Sequence, residues 1–350
     1  MMTLRKFSQG LDAIPTGTAW YLADLGRAMG KQELFTRQSP QRLKALREHA
    51  LVESAVSSNR IEGVEVEPRR VATLVFGRAS LQDRNEEEVR GYRDALRLIH
   101  GQTKNLTISE ETIRQLHPLT RGEIWDAGRY KEQDSEIIEK TPDGRQRVRF
   151  RPVPAAQTAS AMGELISLWD AALREQQVHP LILLTVFNLD FLCIHPFRDG
   201  NGRVSRLLLL LQCYHLGYGV GRYISLERLI EQNKVRYYET LEQSSVGWHD
   251  DTHDPWPYVN YLFFILKSAY REFEERIGQT AEPRGAKTER VVQAIERAKG
   301  SFSVGELQRE CPGAGLDLIR ATLKRLRAEG LVECLGRGQH ASWQKTSRRK

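Results

Sequence analysis

HPFRDGNGRVSR, residues 195–206, lies between two strongly apolar segments, PLILLTVFNLDFLCI (180–194) and VSRLLLLLQCYHLG (204–217), and decides how both are read. Each flank is apolar nearly all round, the pattern of a helix buried on every side. Between them come two glycines, an aspartate and three arginines, an odd set with which to break a core helix. The residues of the break stand in a useful order. Gly200 and Gly202 let the backbone approach an anion closely, and a helix starting near Asn201 turns its free N–H groups and positive dipole end toward the same space. Arg203 and Arg206, three apart on one helical face, add fork-shaped donors suited to polyphosphate. The Asp199 carboxylate suits a hard cation such as Mg2+. His195, at the end of the preceding helix, titrates in the range needed to take a proton from a hydroxyl. Pro196 and Phe197 fix the loop, with Phe197 as a core plug. A solvated turn beside a structural histidine has the same spacing. The crowding of His, Asp, Gly, Asn, Gly, Arg and Arg into this short stretch favours the chemical reading over it.

Working outward, most of residues 1–130 shows apolar residues at three- and four-residue spacing, as in LKALREHALVESAVSSNRIEG (43–63) and EEEVRGYRDALRLIHG (86–101), which predicts helices. Another helix opens at Ser109 with Glu110 and Glu111 in its first turn. The texture changes at GRYKEQDSEIIEKTPDGRQRVRFR (128–151), where polar and β-branched residues flank Pro142-Asp143-Gly144 and predict a two-stranded hairpin. Helical patterning resumes at 161–176 and continues through LERLIEQNKVRYYETLEQS (226–244) and DPWPYVNYLFFILKSAYREFEERIG (254–278). The glycine- and proline-bearing stretch 279–286 reads as a linker. Beyond it, TERVVQAIERAKG, SVGELQREC and GLDLIRATLKRLRAEG predict three helices, and LVECLGRGQHASWQK two short strands around Gly336-Arg337-Gly338, together a winged helix-turn-helix over 287–350.

The chain has 350 residues and a net charge of +7. Residues 285–350 hold 14 Lys and Arg against 7 Asp and Glu, whereas the remainder carries 38 of each sign. A basic appendage on a neutral body suggests its own anionic partner. DNA fits, with Arg320, Lys324 and Arg327 at helical spacing and Arg337 on the wing; a protein-docking or dimerisation module fits the same fold. The four cysteines, Cys193, Cys213, Cys311 and Cys334, form no close pair and have no histidine spacing for a metal cage, so they read as reduced, structural thiols. No apolar run approaches the roughly 20 residues of a bilayer span, and the N-terminus does not resemble a secretory signal. A soluble, cytoplasmic protein with no membrane partner is the expectation.

The stretch 195–206 matches the signature His-Pro-Phe-x-Asp/Glu-Gly-Asn-Gly-Arg-x-x-Arg at every defined position, so the chain resembles the Fic family. The resemblance implies an all-α fold: a Fic-type helical core over 109–278 with a small β-hairpin flap, preceded by an N-terminal helical region, 1–108. It implies an adenylyltransferase that moves AMP from ATP to a Ser, Thr or Tyr hydroxyl of a target protein, and onto itself, with Mg2+. His195 would be the base and Asp199 the metal ligand. Gly200, Asn201, Gly202 and Arg203 would cradle the phosphates, and Arg206 would grip the γ-phosphate. Tyr237 and Tyr238 resemble a tyrosine pair on the adenine side of the pocket, though two aromatics packing at a helix face read equally well. Ser135, Glu136, Ile137 and Ile138 fall where the family's flap pins a target segment; Glu136 is an unusual charge there.

Ser58-Asn59-Arg60-Ile61-Glu62-Gly63 is by itself a helix end closed by glycine. Beside the signature it resembles the family's inhibitory helix, Ser/Thr-x-x-x-Glu-Gly/Asn. That resemblance implies that Glu62 pairs with Arg206 and that Ser58 belongs to the same device. It also implies a homodimer as a further expectation. An enzyme that removes AMP or works in both directions, one that uses another nucleotide, and a DNA-binding regulator with a nucleotide-sensing Fic site are the alternatives.

Overall fold

The computed structural model describes every residue except 1, 12, 37–39, 78–79, 123–124, 141–144, 279–285, 299, 312–313, 337–340 and 347–350. The chain divides into two compact units, Met1–Glu274 and Glu275–Lys350. The helices are α1 (Thr3–Ser8), α2 (Thr16–Thr36), α3 (Pro40–Ile61), α4 (Pro68–Phe76), α5 (Arg84–Gln102), α6 (Glu110–Arg121), α7 (Ala155–Glu175), α8 (Pro180–Ile194), α9 (Asn201–His215), α10 (Leu226–Gln232), α11 (Lys234–Ser245), α12 (Trp256–Gly278), α13 (Ala286–Arg297), α14 (Val304–Glu310) and α15 (Leu316–Ala328). Strands β1 (Ile137–Lys140) and β2 (Gln146–Phe150) pair antiparallel as the hairpin, with Glu139 opposite Arg147 and a register shift between Ile137 and Ile138. The all-α class with a small strand pair is therefore the observed architecture. The Pro142-Asp143-Gly144 turn and nearly all of the linker, 279–285, lie outside the described residues.

The two apolar flanks, α8 and α9, form the centre of the first unit. Every side chain from Leu181 to Ile194 is buried, as are those from Arg203 to Tyr214. Around them, α8 packs on α1, α7, α9 and α11, and α9 on α3, α5 and α6. Pro180 starts α8 at a position where its missing N–H has no helical partner to lose. The helix stops at His195, which takes a left-handed conformation (φ +52°) and donates its N–H to Phe191 O at 2.9 Å. Pro196 follows and cannot extend the helix. The break between α8 and α9 is therefore written into backbone chemistry.

Two buried carboxylates fix this centre to its surroundings. Asp190 on α8 accepts from Thr3 N (2.9 Å), Thr3 Oγ1 (2.7 Å), Leu4 N (2.7 Å) and Trp248 Nε1 (2.7 Å), docking the start of the chain. Burial pushes its carboxyl up to about 6 despite these donors. Glu88 on α5 faces three guanidiniums: Arg203 Nη1 of α9 at 2.6 Å, Arg121 Nη1 of α6 at 2.8 Å and Arg84 Nε one turn back at 3.1 Å. Arg203 also donates to Asn59 Oδ1 of α3 at 3.1 Å. Four helices thus meet at one charge cluster.

In the second unit, strands β3 (Phe302–Ser303), β4 (Val332–Cys334) and β5 (Ser342–Lys345) form an antiparallel sheet in the order β3-β5-β4. β3 adds a strand to the two anticipated; two residues long, it has no periodicity to reveal it. Ser303 then caps α14 in a reciprocal box with Glu306. Val291, Ile295, Phe302, Leu307, Ile319, Leu323, Leu326 and Val332 make the core of this unit. Arg337 lies outside the described residues. The four cysteines are free, three of them buried, and no helix of the described residues is long and apolar enough to cross a membrane.

Removing the Glu88 charge strands buried guanidiniums. Glu88→Gln is expected to lower the stability of the first unit by about 3–5 kcal/mol, read as a shift in the urea midpoint with unchanged slope; a midpoint equal to wild type would show that the cluster does not hold these helices.

Candidate functional site

The loop 196–200 is held from inside. Asn201 turns its amide back into the loop, accepting Phe197 N at 2.9 Å and donating to Phe197 O at 2.7 Å. Phe197 is fully buried and stacks on His117, ring centroids 3.9 Å apart. His117 Nδ1 accepts Gly128 N (2.9 Å), which leaves the proton on Nε2 to donate to Asp199 O (3.0 Å). Burial lowers the pKa of this imidazole. Gly200 sits at φ +84°, and a Cβ there would lie 2.9 Å from Arg121 Cγ. Only glycine allows both the turn and the close approach. The first turn of α9 is thereby presented with its N–H groups free of side-chain caps.

His195 faces a cavity of about 380 Å3 that also meets Gly202, Glu62, Tyr237, Tyr238, Ile137, Ile138, Phe150 and Leu192. Its Nδ1 lies 3.3 Å from Leu192 O, so the proton belongs on Nδ1 and Nε2 is the acceptor. Burial pulls the imidazole down to about 4, with the Lys131 ammonium adding to the effect. Lys131 itself is depressed by burial to about 8; its Nζ donates to Ile194 O at 3.0 Å and its N–H to Pro196 O at 2.8 Å, tying the segment before the hairpin to the loop. A neutral imidazole with a free lone pair is what a proton acceptor requires.

Arg206 is buried beneath the same cavity. Its Nε donates to Ser58 Oγ (2.9 Å), and its Nη2 to Ser58 O (2.9 Å) and Glu62 Oε1 (2.8 Å). Burial opposes the guanidinium charge, but Glu62 and the Tyr237 and Tyr92 hydroxyls outweigh it and raise the pKa. Glu62 leans over the first turn of α9, where a Cβ at Gly202 would collide with its Oε1. The carboxylate thus occupies the end of α9 that favours anions. Arg206 Nη1, Arg203 Nε and Arg121 Nε are buried without a hydrogen-bond partner among the described residues. Unsatisfied donors of this kind are costly unless something else supplies the acceptor.

The structure brings His195, Gly202, Arg206, Ser58, Glu62, Tyr237, Tyr238, Ile137 and Ile138 together. Arg203 is turned away from the cavity, toward Glu88 and Asn59, and the side chain of Asn201 closes the loop, so at these two positions only the backbone faces the anion space. Tyr237 is buried against Tyr258 and Tyr261, while Tyr238 lies under the Arg149 guanidinium at 5.1 Å. Ser135 Oγ is buried without a partner and Glu136 pairs outward with Arg151 at 2.9 Å; neither lines the cavity.

Sequence reasoning missed Glu88, Arg121, His117 and Asn59. Glu86, Glu87 and Glu88 open a helix and read as dipole-compensating surface acids; nothing in their order tells that Glu86 and Glu88 are buried or that Glu88 is the one that meets Arg203 and Arg121. Asp199 is exposed, accepts Gly200 N at 2.5 Å and pairs with Arg121 Nη2 at 3.1 Å. One accessible carboxylate beside an anion space fits Mg2+, which commonly takes one or two carboxylates together with substrate phosphates. No cluster of three or more metal-ligating side chains occurs among the described residues.

Residues 107–213, from the start of α6 through α9, match the Fic/DOC family. The chain is 24% identical over 199 residues to protein adenylyltransferase Fic of Nematostella vectensis, an alignment covering 54% of this chain and 42% of that protein's length. Among solved structures it is similar to a Fic family protein from Desulfovibrio desulfuricans G20, with a TM-score of 0.63 at 21% identity over 97% of this chain and 98% of the other. It is also similar to a Fic domain-containing signaling protein from Bacteroides thetaiotaomicron, with a TM-score of 0.60 at 22% identity over 73% and 97%. With the signature complete at the break between α8 and α9, the chain carries a Fic/DOC family domain over residues 107–213.

Proposed function

We propose that the protein is a Fic-type transferase that moves AMP from ATP to a hydroxyl side chain of a target protein, held in check by its own Glu62. The carrying observation is the buried Arg206, whose guanidinium is shared by Glu62 and Ser58 with Nη1 left unsatisfied beside the first turn of α9. A polyphosphate supplies acceptors that this space lacks. In the reaction, the target hydroxyl oxygen attacks the α-phosphorus and His195 Nε2 takes its proton. The bond from the α-phosphorus to the bridging oxygen breaks, and pyrophosphate departs. The N–H groups of Asn201 and Gly202, presented by the turn at Gly200, oppose the charge on the phosphates. Positioning and charge neutralisation carry most of such a transfer. Mg2+, held by Asp199 and the phosphates, would neutralise further charge there. Tyr237 and Tyr238 border the nucleoside side, and Ile137 and Ile138 of the hairpin border the side from which a target segment would arrive.

Glu62 acts as the brake because it holds the guanidinium that a γ-phosphate needs and puts a negative charge over Gly202. Removing it leaves Arg206 for the nucleotide. A reverse reaction that removes AMP, and use of another nucleotide, draw on the same groups and are read by the same assay with modified protein or other labelled nucleotides.

We propose further that the second unit is a winged helix-turn-helix that docks on duplex DNA. Arg320, Lys324 and Arg327 lie on one exposed face of α15, and none has an ion-pair partner among the described residues. Such a face suits phosphate contacts flanking a major groove.

Three outcomes are expected. With α-labelled ATP and Mg2+, Glu62→Gly labels protein far above wild type, and adding His195→Ala cuts that labelling by roughly 10^2–10^4-fold; equal labelling by wild type and Glu62→Gly, both folded, would sink the brake. Because burial holds His195 down to about 4 and Glu62 raises it, deleting Glu62 lowers it further. The kcat/KM of Glu62→Gly should therefore stay flat as pH falls through 6.5 and all the way to about 4; an acid limb centred near 6.5 refutes the depressed base. Fluorescence anisotropy with a labelled duplex should show binding that weakens steeply with salt and is lost in Arg320→Ala/Lys324→Ala/Arg327→Ala; no binding at low salt removes the DNA reading.

A further inference from the structure

We infer that a second cavity, of about 590 Å3, formed where the end of α2, the N-terminal half of α3, the end of α5 and the turn Val220–Arg222 meet, is a binding site for a small phosphorylated molecule. Three arginines from three separate elements line it: Arg47 of α3, Arg97 of α5 and Arg222 of the turn. None has a carboxylate partner within 4 Å among the described residues, whereas Arg84, Arg121, Arg203, Arg206 and Arg228 of the same unit all do. The one acid on the wall, Glu48, is turned to Lys44 at 3.9 Å.

The guanidiniums are held in place by neutral groups. Arg222 donates to His100 O (2.8 Å) and Thr103 Oγ1 (2.9 Å) and lies 4.2 Å over the Tyr214 ring. Arg47 donates to the Tyr223 hydroxyl (3.0 Å) and lies 5.2 Å over that ring. Arg97 donates to Val75 O (3.1 Å). Carbonyls, hydroxyls and ring faces orient a guanidinium without cancelling its charge, so the cavity keeps an excess of positive charge on preset forks. His100, on the same wall, is pushed down to about 4 by burial and by Arg222 and Arg47, and so adds no charge but reports the field of its neighbours.

The shape narrows the ligand. Three forks around one recess match a compact, multiply charged phosphate or diphosphate better than a single carboxylate, and a recess of this volume takes a small molecule. Tyr223 and Leu51 supply an apolar wall for the uncharged part. The cavity shares no lining residue with the one at His195. Arg47, in the N-terminal half of α3, and Glu62, just past its C-terminal end, are about 20 Å apart at 1.5 Å per residue, so the two sites are separate in space.

The test is calorimetric titration of the full chain with sodium pyrophosphate at low ionic strength, for wild type, Arg47→Gln/Arg222→Gln and Arg97→Gln, each checked for fold by circular dichroism. Wild type is expected to bind, and the double variant to lose one equivalent or on the order of tenfold in affinity. Arg97→Gln, at an exposed side chain with a single hydrogen bond to Val75 O, weakens the same event and serves if the double variant unfolds. An isotherm unchanged in these variants would put pyrophosphate at the loop 195–206 and overturn the inference, as would no binding by wild type at millimolar concentration. Label transfer from ATP does not enter, so this failure and failure of the transferase reading are separately visible.

Discussion

Glu88 has almost no access to water, and it is the charge on which the architecture of the first unit turns. A buried carboxylate needs hydrogen-bond donors or cations brought to it, and at Glu88 cations come from α5 itself, from α6 and from α9, with Asn59 of α3 joined through Arg203. The position of the first turn of α9 follows from that meeting, because Arg203 sits in that turn. Arg121 uses one end of its guanidinium on Glu88 and the other on Asp199, so the same cluster that packs the helices also sets the loop's carboxylate. Fold and site are one electrostatic arrangement.

Arg203 and Arg206 are three residues apart on one helix, both buried, yet their partners differ in a way that decides their roles. Glu88 is 2% exposed and lies inside α5, one turn from its start; Glu62 has a side chain 31% exposed and belongs to the residues that follow α3, next to Gly63 at φ +83°. A partner held within a helix and sealed from water does not leave. One on a glycine-closed end, with water at its back, can be replaced by another anion without unfolding anything. Under the proposed function this difference separates a structural arginine from a regulated one.

Much of this was legible beforehand. The break at 195–206, the two apolar helices around it and the hairpin all carry local signals, glycines where the chain must turn and periodicity where it must bury. The approach of Ser58 and Glu62 to Arg206 is implied only by the family resemblance, the local sequence showing no more than a helix end closed by Gly63. What was not legible depends on which way a side chain points once helices have packed. Arg203 reads as a phosphate donor until Glu88 is brought beside it by α5, and Asn201 reads as a cradle residue until its amide is seen bridging Phe197. Glu88 itself is one of three adjacent acids at a helix start, and only tertiary packing distinguishes it. The two-residue strand β3 is too short to show a period at all.

The two cavities of the first unit also show how a protein sets the terms on which an anion enters. At His195 the arginines already have internal carboxylates, so under the proposed function an incoming phosphate would displace Glu62 and its affinity would be reduced by the strength of that pair. At the Arg47–Arg97–Arg222 recess the guanidiniums are oriented by carbonyls, hydroxyls and rings alone, and an anion adds to them without displacing a charge. Binding at the first is therefore conditional on the state of the α3 end, whereas binding at the second depends only on ligand concentration and salt. Under the two proposals, the N-terminal half of α3 borders an unconditional anion contact, and Glu62, just past the C-terminal end of the same helix, guards the conditional one.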